Sequence, residues 1–239
     1  CICRSYRLNG NKIYSLVNVM NNHNKKKLGY LPGLLKIKNI LFRLKFLISV
    51  LRYKSYRELF ALKLDNRHPV IDLGANIGQS SIILWFRGFE VYAYEPHPIA
   101  FKKLEKLFKD VENIHTINAA VVEGSYSNEE KRKLYLHKEQ NQTKQDFSQG
   151  SSLMKDKTNI DNSNYYTINT YKINTIIEKH EKIALVKCDV EGYEYLLYQD
   201  LLLNKNKIKY FIIETHASKN PQWKIEDIKL REAFSKSIN

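Results

Sequence analysis

The chain is expected to fold as an α/β domain with an open, mostly parallel sheet and helices on both faces. Three observations lead there. Apolar strand-like runs, such as PVIDL (Pro69–Leu73) and IALV (Ile183–Val186), alternate with segments of three- and four-residue periodicity that read as helices. The first of these strands runs through a Gly-bearing turn and a short helix into a second strand, Val91–Tyr94, which delivers Glu95 at its carboxyl end. At 239 residues the chain can hold one sizeable core, so one such domain with an extension is expected rather than two.

Charge divides the chain. Residues 1–57 hold thirteen Lys or Arg and no Asp or Glu, leaving 26 basic against 25 acidic residues in the remainder. The division is read as a basic N-terminal extension, residues 1–66, ahead of a nearly neutral domain, residues 67–239. Residues 1–33 are rich in Asn and Lys, with a turn at Leu31, Pro32 and Gly33, and weak order is expected there. Beyond them Leu34, Ile37, Leu41, Leu44, Ile48 and Leu51 follow helical spacing, while Lys38, Lys45 and Arg52 recur every seven on another face. That is an amphipathic basic helix. Residues 34–57 would suit an anionic membrane surface. The plainer alternative is a helix packed on the domain, or on a second subunit, with its basic side in water.

Charge by itself fits anionic lipid, polyanionic glycan and nucleic acid equally. The chain has no apolar run of bilayer-spanning length and no signal-peptide pattern. Cys1, Cys3 and Cys188 form no paired framework, and a metal site at Cys1 and Cys3 lacks a second pair of ligands. A cytoplasmic protein, peripheral to a membrane, is the expectation. Oligomeric state is not legible.

The turn after the first strand carries Asp72, Gly74, Ala75, Asn76 and Gly78. Glycines four apart let backbone approach a ligand where a Cβ would collide. A dinucleotide site calls for G-x-G-x-x-G, so that a pyrophosphate rests on bare backbone at a helix N-terminus. Here the spacing is G-x-x-x-G, and Asp72 adds a negative charge that repels phosphate. Both features suit a nucleoside bearing an amino group and a sulfonium, which is S-adenosylmethionine. Glu95 is then placed to accept hydrogen bonds from ribose hydroxyls. Ordinary Gly and Asn turn chemistry is the bland alternative.

Pro98 opens a helix, where proline is tolerated, and Ala100, Leu104, Leu107 and Phe108 supply its buried stripe. Asn113–Val122 reads as a third strand and its exit, with Asn118 and Ala119 placed either to edge an adenine or as plain loop. Residues 123–166 are polar, with only Lys133–Leu136 strand-like. So long an irregular segment suggests a functional or mobile insertion over the site, and Ser151 and Ser152 lie in it. The sequon at Asn141–Thr143 is read as chance. The segment YYTINTYKINTIIEKH returns the chain through a strand and a short helix. The block IALVKCDVEGYE then makes a buried strand, with Cys188 an inert thiol, and brings Asp189 and Glu191 to the carboxyl edge. Glu191 and Glu194 can be explained as first-turn carboxylates facing a helix dipole, an effect of about 0.3–1 kcal/mol. KYFIIETH adds a last strand ending on Glu214 and His216.

VIDLGANIG, AYEP, the Asn-Ala-Ala exit, VKCDVEGYE and FIIETH, in this order and spacing, resemble the FkbM-like family of S-adenosylmethionine-dependent methyltransferases over about residues 68–217. The resemblance implies a Rossmann-like methyltransferase fold and O-methylation of a hydroxyl on a sugar, glycan or small metabolite. It also implies that Asp72, Gly74, Asn76, Gly78 and Glu95 are cofactor residues, and that Asp189 floors the reaction site. Folds of this kind usually close with an antiparallel C-terminal hairpin. This chain ends shortly after a helix from about Ile225, so that hairpin is expected to be missing and the sequence truncated. The acceptor hydroxyl needs a base, and two groups offer one. His216 is the expected base, since an unperturbed imidazole titrates near 6.5, with Asp189 as the orienting carboxylate. A divalent metal at Asp189 is the alternative and is not predicted.

Two other readings compete. NPQW (Asn220–Trp223) resembles an amino-methylating signature of nucleic-acid methyltransferases, but it follows the wrong strand and lacks the second proline. A membrane-surface or glycan-binding module with a non-working cofactor site is the other.

Overall fold

A computed structural model describes residues 5–8, 11–14, 32–125, 131–140 and 148–237. Its elements begin with β1 (Ser5–Leu8), β2 (Asn11–Tyr14), α1 (Pro32–Val50), α2 (Lys54–Ala61), β3 (Val70–Leu73), α3 (Gln79–Phe86), β4 (Val91–Tyr94) and α4 (Pro98–Phe108). They continue with β5 (Ile114–Ile117), β6 (Ala120–Val122), β7 (Lys131–His137), β8 (Ile160–Lys172), α5 (Ile173–Glu178), β9 (Leu185–Cys188), α6 (Glu194–Leu203), β10 (Phe211–Ile213) and α7 (Trp223–Lys236). The main sheet has seven strands in the order β1-β2-β10-β9-β3-β4-β5, and five of its parallel strands, β10-β9-β3-β4-β5, make its centre. The chain moves outward from β3 through β5 and then returns to the other side of β3 for β9 and β10. Such a reversal opens a crevice at the carboxyl ends of β3 and β9.

Both faces of the sheet are covered, which is why its strands read as near-continuous apolar runs rather than strict alternations. Val70, Val91, Ala93, Leu185 and Ile212 pack toward α1–α4, and Ile71, Leu73, Val186, Cys188, Phe211 and Ile213 pack toward α5–α7. Each large apolar side chain buried this way contributes about 1.5–3 kcal/mol. The expected stripe of α4 holds, with Ala100, Leu104, Leu107 and Phe108 buried and Pro98 in the first turn. In β3 the polar exception is Asp72, fully buried, which sits opposite Lys187 of β9 in the ladder.

Three local expectations are corrected. The predicted third strand is two: β5 belongs to the main sheet, and β6 leaves it to pair with β8. The break falls at Asn118, whose side chain donates to the Glu95 carbonyl at 2.9 Å. The insertion is not largely irregular, because β6, β8 and β7 form a second sheet around Ala120, Leu134 and Ile168. The strand expected in YYTINTYK is present but longer than expected: β8 starts at Ile160, and the Asn and Ser of its first half hid that extension, while Thr and Tyr supply the β propensity. Lastly, part of the N-terminal stretch expected to be weakly ordered forms β1 and β2, with β2 parallel beside β10 and β1 antiparallel to β2. Cys1, Cys3, Leu31 of the expected turn and the sequon Asn141–Thr143 lie outside the described residues.

Helix α1 docks by a face the spacing did not single out. Leu47 and Val50 enter the core, and Arg43, 7% exposed, donates from Nε to the Leu107 carbonyl (2.8 Å) and from Nη2 to the Lys109 carbonyl (2.5 Å). Those are carbonyls at the end of α4, which have no partner within their own helix. Leu41, Leu44 and Ile48 of the predicted stripe face outward instead. Among the described residues no helix is long and apolar enough to cross a membrane.

Candidate active site

One pocket lies at the carboxyl ends of β3, β4 and β9. Gly74, Ala75 and Asn76 form one side, Glu95 and Ala119 the next, and Asp189 and Glu191 the third. Ser151, Ser152 and Leu153 of the insertion close it, and Tyr56 of α2 reaches it from the N-terminal region. The insertion is fastened there by Ser152 Oγ, which donates to the Glu191 carbonyl at 2.8 Å.

The cofactor residues expected from the sequence divide into two groups. Gly74, Ala75, Asn76, Glu95, Ala119 and Asp189 line the pocket, whereas Asp72, Gly78 and Asn118 lie behind its wall. Glu95 is 5% exposed; its Oε2 accepts from the Asn76 amide at 2.7 Å and its Oε1 from the His97 amide at 2.8 Å. Burial pushes its carboxyl up to about 7, although those two amides pull the other way. Asp72 Oδ2 accepts from Ser81 Oγ at 2.7 Å and Oδ1 lies 3.4 Å from Lys187 Nζ, so this carboxylate braces β3 and α3 from within.

The glycines answer to the protein's own packing more than to a ligand. At Gly74, φ is +75° and an added Cβ would stand 1.9 Å from the Asp189 carbonyl oxygen. The β3 turn and the β9 turn are thus pressed together at the floor of the pocket. An added Cβ at Gly78 would meet Leu107 and Phe108 of α4. Asn76 and Glu191 also hold positive φ, 52° and 55°, a conformation uncommon outside glycine that tends to gather at functional turns.

Behind Asp189 lies a charge network. Lys187 Nζ is 3.3 Å from Asp189 Oδ2 and donates to the Gly74 carbonyl at 3.1 Å. Burial opposes the Lys187 charge, but Asp189 and Asp72 outweigh it and hold the amine's pKa above its ordinary value. His216 Nε2 faces Glu191 Oε2 at 3.5 Å and Asp189 Oδ1 at 3.8 Å. Its Nδ1 meets Glu194 Oε1 at 3.1 Å, and its amide donates to the same oxygen at 2.9 Å. Burial again disfavours charge, yet Glu194, Glu191 and Asp189 raise the imidazole to about 10. At neutral pH His216 is an imidazolium, a proton donor. Glu191 is paired further with Lys157 Nζ at 2.5 Å. Glu214 is raised to about 9 by burial and by the neighbouring Asp189. Ligand atoms of Asp189, Glu214 and His216 lie within 4.8 Å of one another, close enough for a divalent cation to be shared.

Sequence reasoning missed Tyr56, Lys187 and Lys157. Lys187 was visible as a lone cation inside the apolar run IALVKC. Tyr56 and Lys157 carried no such signal, since each reaches the site from a segment distant in sequence. The NPQW segment is structural, because Asn220 Nδ2 and Trp223 Nε1 donate to Asp156 Oδ2 at 2.7 and 3.0 Å.

A parallel sheet in this order, with a carboxylate after its second strand and the turn Asp189–Gly192 after its fourth, defines a Rossmann-like methyltransferase fold. Comparison with family models matches residues 72–236 to the methyltransferase FkbM domain. The chain belongs to the FkbM methyltransferase family. No curated protein matches it. Tyr56 falls before the matched residues, although it contributes to the pocket wall.

Proposed function

We propose that the protein is an S-adenosylmethionine-dependent O-methyltransferase acting on a hydroxyl of a sugar, glycan or small metabolite. The observation that carries this reading is the placement of Glu95 and Asp189 on two sides of one pocket. One can accept from ribose hydroxyls while the other faces an acceptor hydroxyl. The lining suits such ligands. Asn76 Oδ1 and Ser151 Oγ are buried without a hydrogen-bond partner, and each such atom costs about 1–3 kcal/mol until a donor or acceptor meets it. The carboxylates around the pocket favour a ligand bearing positive charge.

S-adenosylmethionine supplies a methyl group on a sulfonium, which an acceptor oxygen attacks as the neutral thioether departs. The protein must align the hydroxyl and take its proton. His216, already protonated, is badly suited to that second role. The reading therefore reverses the roles expected from the sequence: Asp189 accepts the hydroxyl proton, and His216, fixed by Glu194, holds Asp189 in place. A carboxylate is strong enough, because an alcohol oxygen that has gained a methyl is strongly acidic until it loses its proton. Lys187 limits where the Asp189 carboxylate can turn, and Leu153, Val190 and Tyr193 line the pocket with apolar surface.

The pH dependence of Glu95 provides a test. Without ligand, its raised pKa costs stability as pH climbs from 4.5 to about 7. Hydroxyl donors favour the carboxylate, so affinity for S-adenosylmethionine should rise with pH up to about 7 and level off above it. Glu95→Gln should weaken binding by about 1–3 kcal/mol and flatten that pH profile. Calorimetric titration on both sides of neutrality measures both effects, and unchanged affinity would sink the assignment of Glu95. A methyl-transfer screen over sugars, nucleotide sugars and RNA tests the acceptor class, and transfer to RNA alone would refute it.

A further inference from the structure

Among the described residues, helix α1 shows two apolar faces, and one of them has nothing packed against it. At about 100° per residue, Arg43, Leu47 and Val50 fall together on the side buried against α3 and α4. Leu41, Leu44 and Ile48 fall together on another side, where they are 51, 37 and 59% exposed. Large aliphatic side chains gathered on one exposed helix face mark an interaction surface, whereas single exposed ones need no explanation. Lys45, exposed, lies at one edge of this sector, and Arg52, also exposed, follows in the turn after the helix.

We infer that this face of α1 seats the protein on an anionic lipid surface. Charge decides between the occupants. Among the described residues, the exposed charges along and just after α1, Lys45, Arg52, Lys54 and Arg57, are all basic, and residues 1–57 contain no acidic one. A second copy packed face to face would set that charge against itself, since a two-fold interface brings the same patch together from both subunits. Nucleic acid would satisfy the charge but leave the aliphatic sector in water. An anionic bilayer satisfies both, taking the apolar face among the acyl chains while the basic edge stays at the headgroups. The helix end lies close in sequence to the pocket, because α2 starts at Lys54 and carries Tyr56 into the pocket wall. Seating α1 would therefore hold the pocket beside the lipid surface.

The test is co-sedimentation of the full chain with vesicles of phosphatidylcholine alone or with phosphatidylserine added. Binding is expected only with phosphatidylserine, and should fall at least tenfold when NaCl rises from about 0.1 M to about 0.5 M. Leu44→Asp with Ile48→Asp should abolish it with the circular dichroism spectrum unchanged. Lys45→Glu with Arg52→Glu should weaken it at low salt, and this pair carries the test if the aspartates disturb folding. No pelleting with anionic vesicles would overturn the inference, as would binding indifferent to both variants. A dimer that Leu44→Asp with Ile48→Asp dissociates, in a protein that ignores vesicles, would give the face to a second copy. Retention on RNA without vesicle binding would likewise overturn it.

Discussion

Asp189→Asn is expected to slow methyl transfer by about 10²–10⁴-fold at saturating S-adenosylmethionine, the range that removal of a positioned acid–base group usually spans. The substitution keeps the shape of the side chain and removes the acceptor of the hydroxyl proton. It also leaves Lys187 beside a neutral amide where it had a carboxylate at 3.3 Å. His216→Gln should cost far less, on the order of tenfold, because its part is to hold Asp189 and not to carry the proton. The ranking is what distinguishes the two assignments. If His216 were the base, His216→Gln would be the more damaging change and activity would climb through the imidazole's titration. EDTA separates the third possibility: wild-type activity that EDTA abolishes and a divalent cation restores would place a metal among Asp189, Glu214 and His216.

The centre of the main sheet was legible because β3, β9 and β10 are buried on both faces and β4 nearly so. VIDL, VYAY and FII are too apolar and too short to be anything else, and α4 between them carries a clean stripe. The second sheet was legible only in pieces, because it buries little. Lys133–Leu136 and YYTINTYK read as separate strands, while the first half of β8, where Ile160 alone is buried, reads as polar linker and hides the pairing. Helix α1 illustrates a different limit. Its spacing announced an amphipathic helix, but periodicity cannot say which of two apolar faces the core will take. That choice depended on Arg43 finding the end of α4, a contact 64 residues away in sequence.

At the site, motifs located the residues but not their surroundings. Glu95 and Asp189 stand at strand ends, and strand ends are where a parallel sheet presents ligands. Asp72 was expected in the turn but lies within β3, where its side chain is sealed beneath Lys187 and Ser81 and does not line the pocket. An ordinary imidazole pKa is the natural expectation for His216, because nothing in FIIETH reveals that three carboxylates converge on it. Protonation states are set by what the fold brings from elsewhere, and Glu191 and Glu194 come from the turn and helix after another strand.

Glu194→Gln should destabilise the protein by about 3–5 kcal/mol, the usual consequence of removing one partner from a buried ion pair. Sequence position alone assigns Glu194 to the first turn of α6, where a carboxylate facing the helix dipole contributes about 0.3–1 kcal/mol. Its surroundings say otherwise. The side chain is 0% exposed, Oε2 accepts from the Gly192 amide at 2.8 Å, and Oε1 accepts from both the amide and Nδ1 of His216. A glutamine could keep one of those oxygens, but its amide group would face an N–H donor with another donor and leave the imidazolium short of an anion. The sign of the pH dependence follows from His216. Its raised pKa contributes stability that is fully present below 6.5 and fades as pH climbs toward about 10, so the gap between wild type and Glu194→Gln should be widest on the acid side and narrow in alkali. Glu226 offers the control, since it occupies the first turn of α7 with its side chain 37% exposed. Glu226→Gln should cost no more than about 1 kcal/mol. Urea unfolding of both variants at several pH values measures the difference, and equal, small losses would show that Glu194 is no more than a helix-terminus carboxylate.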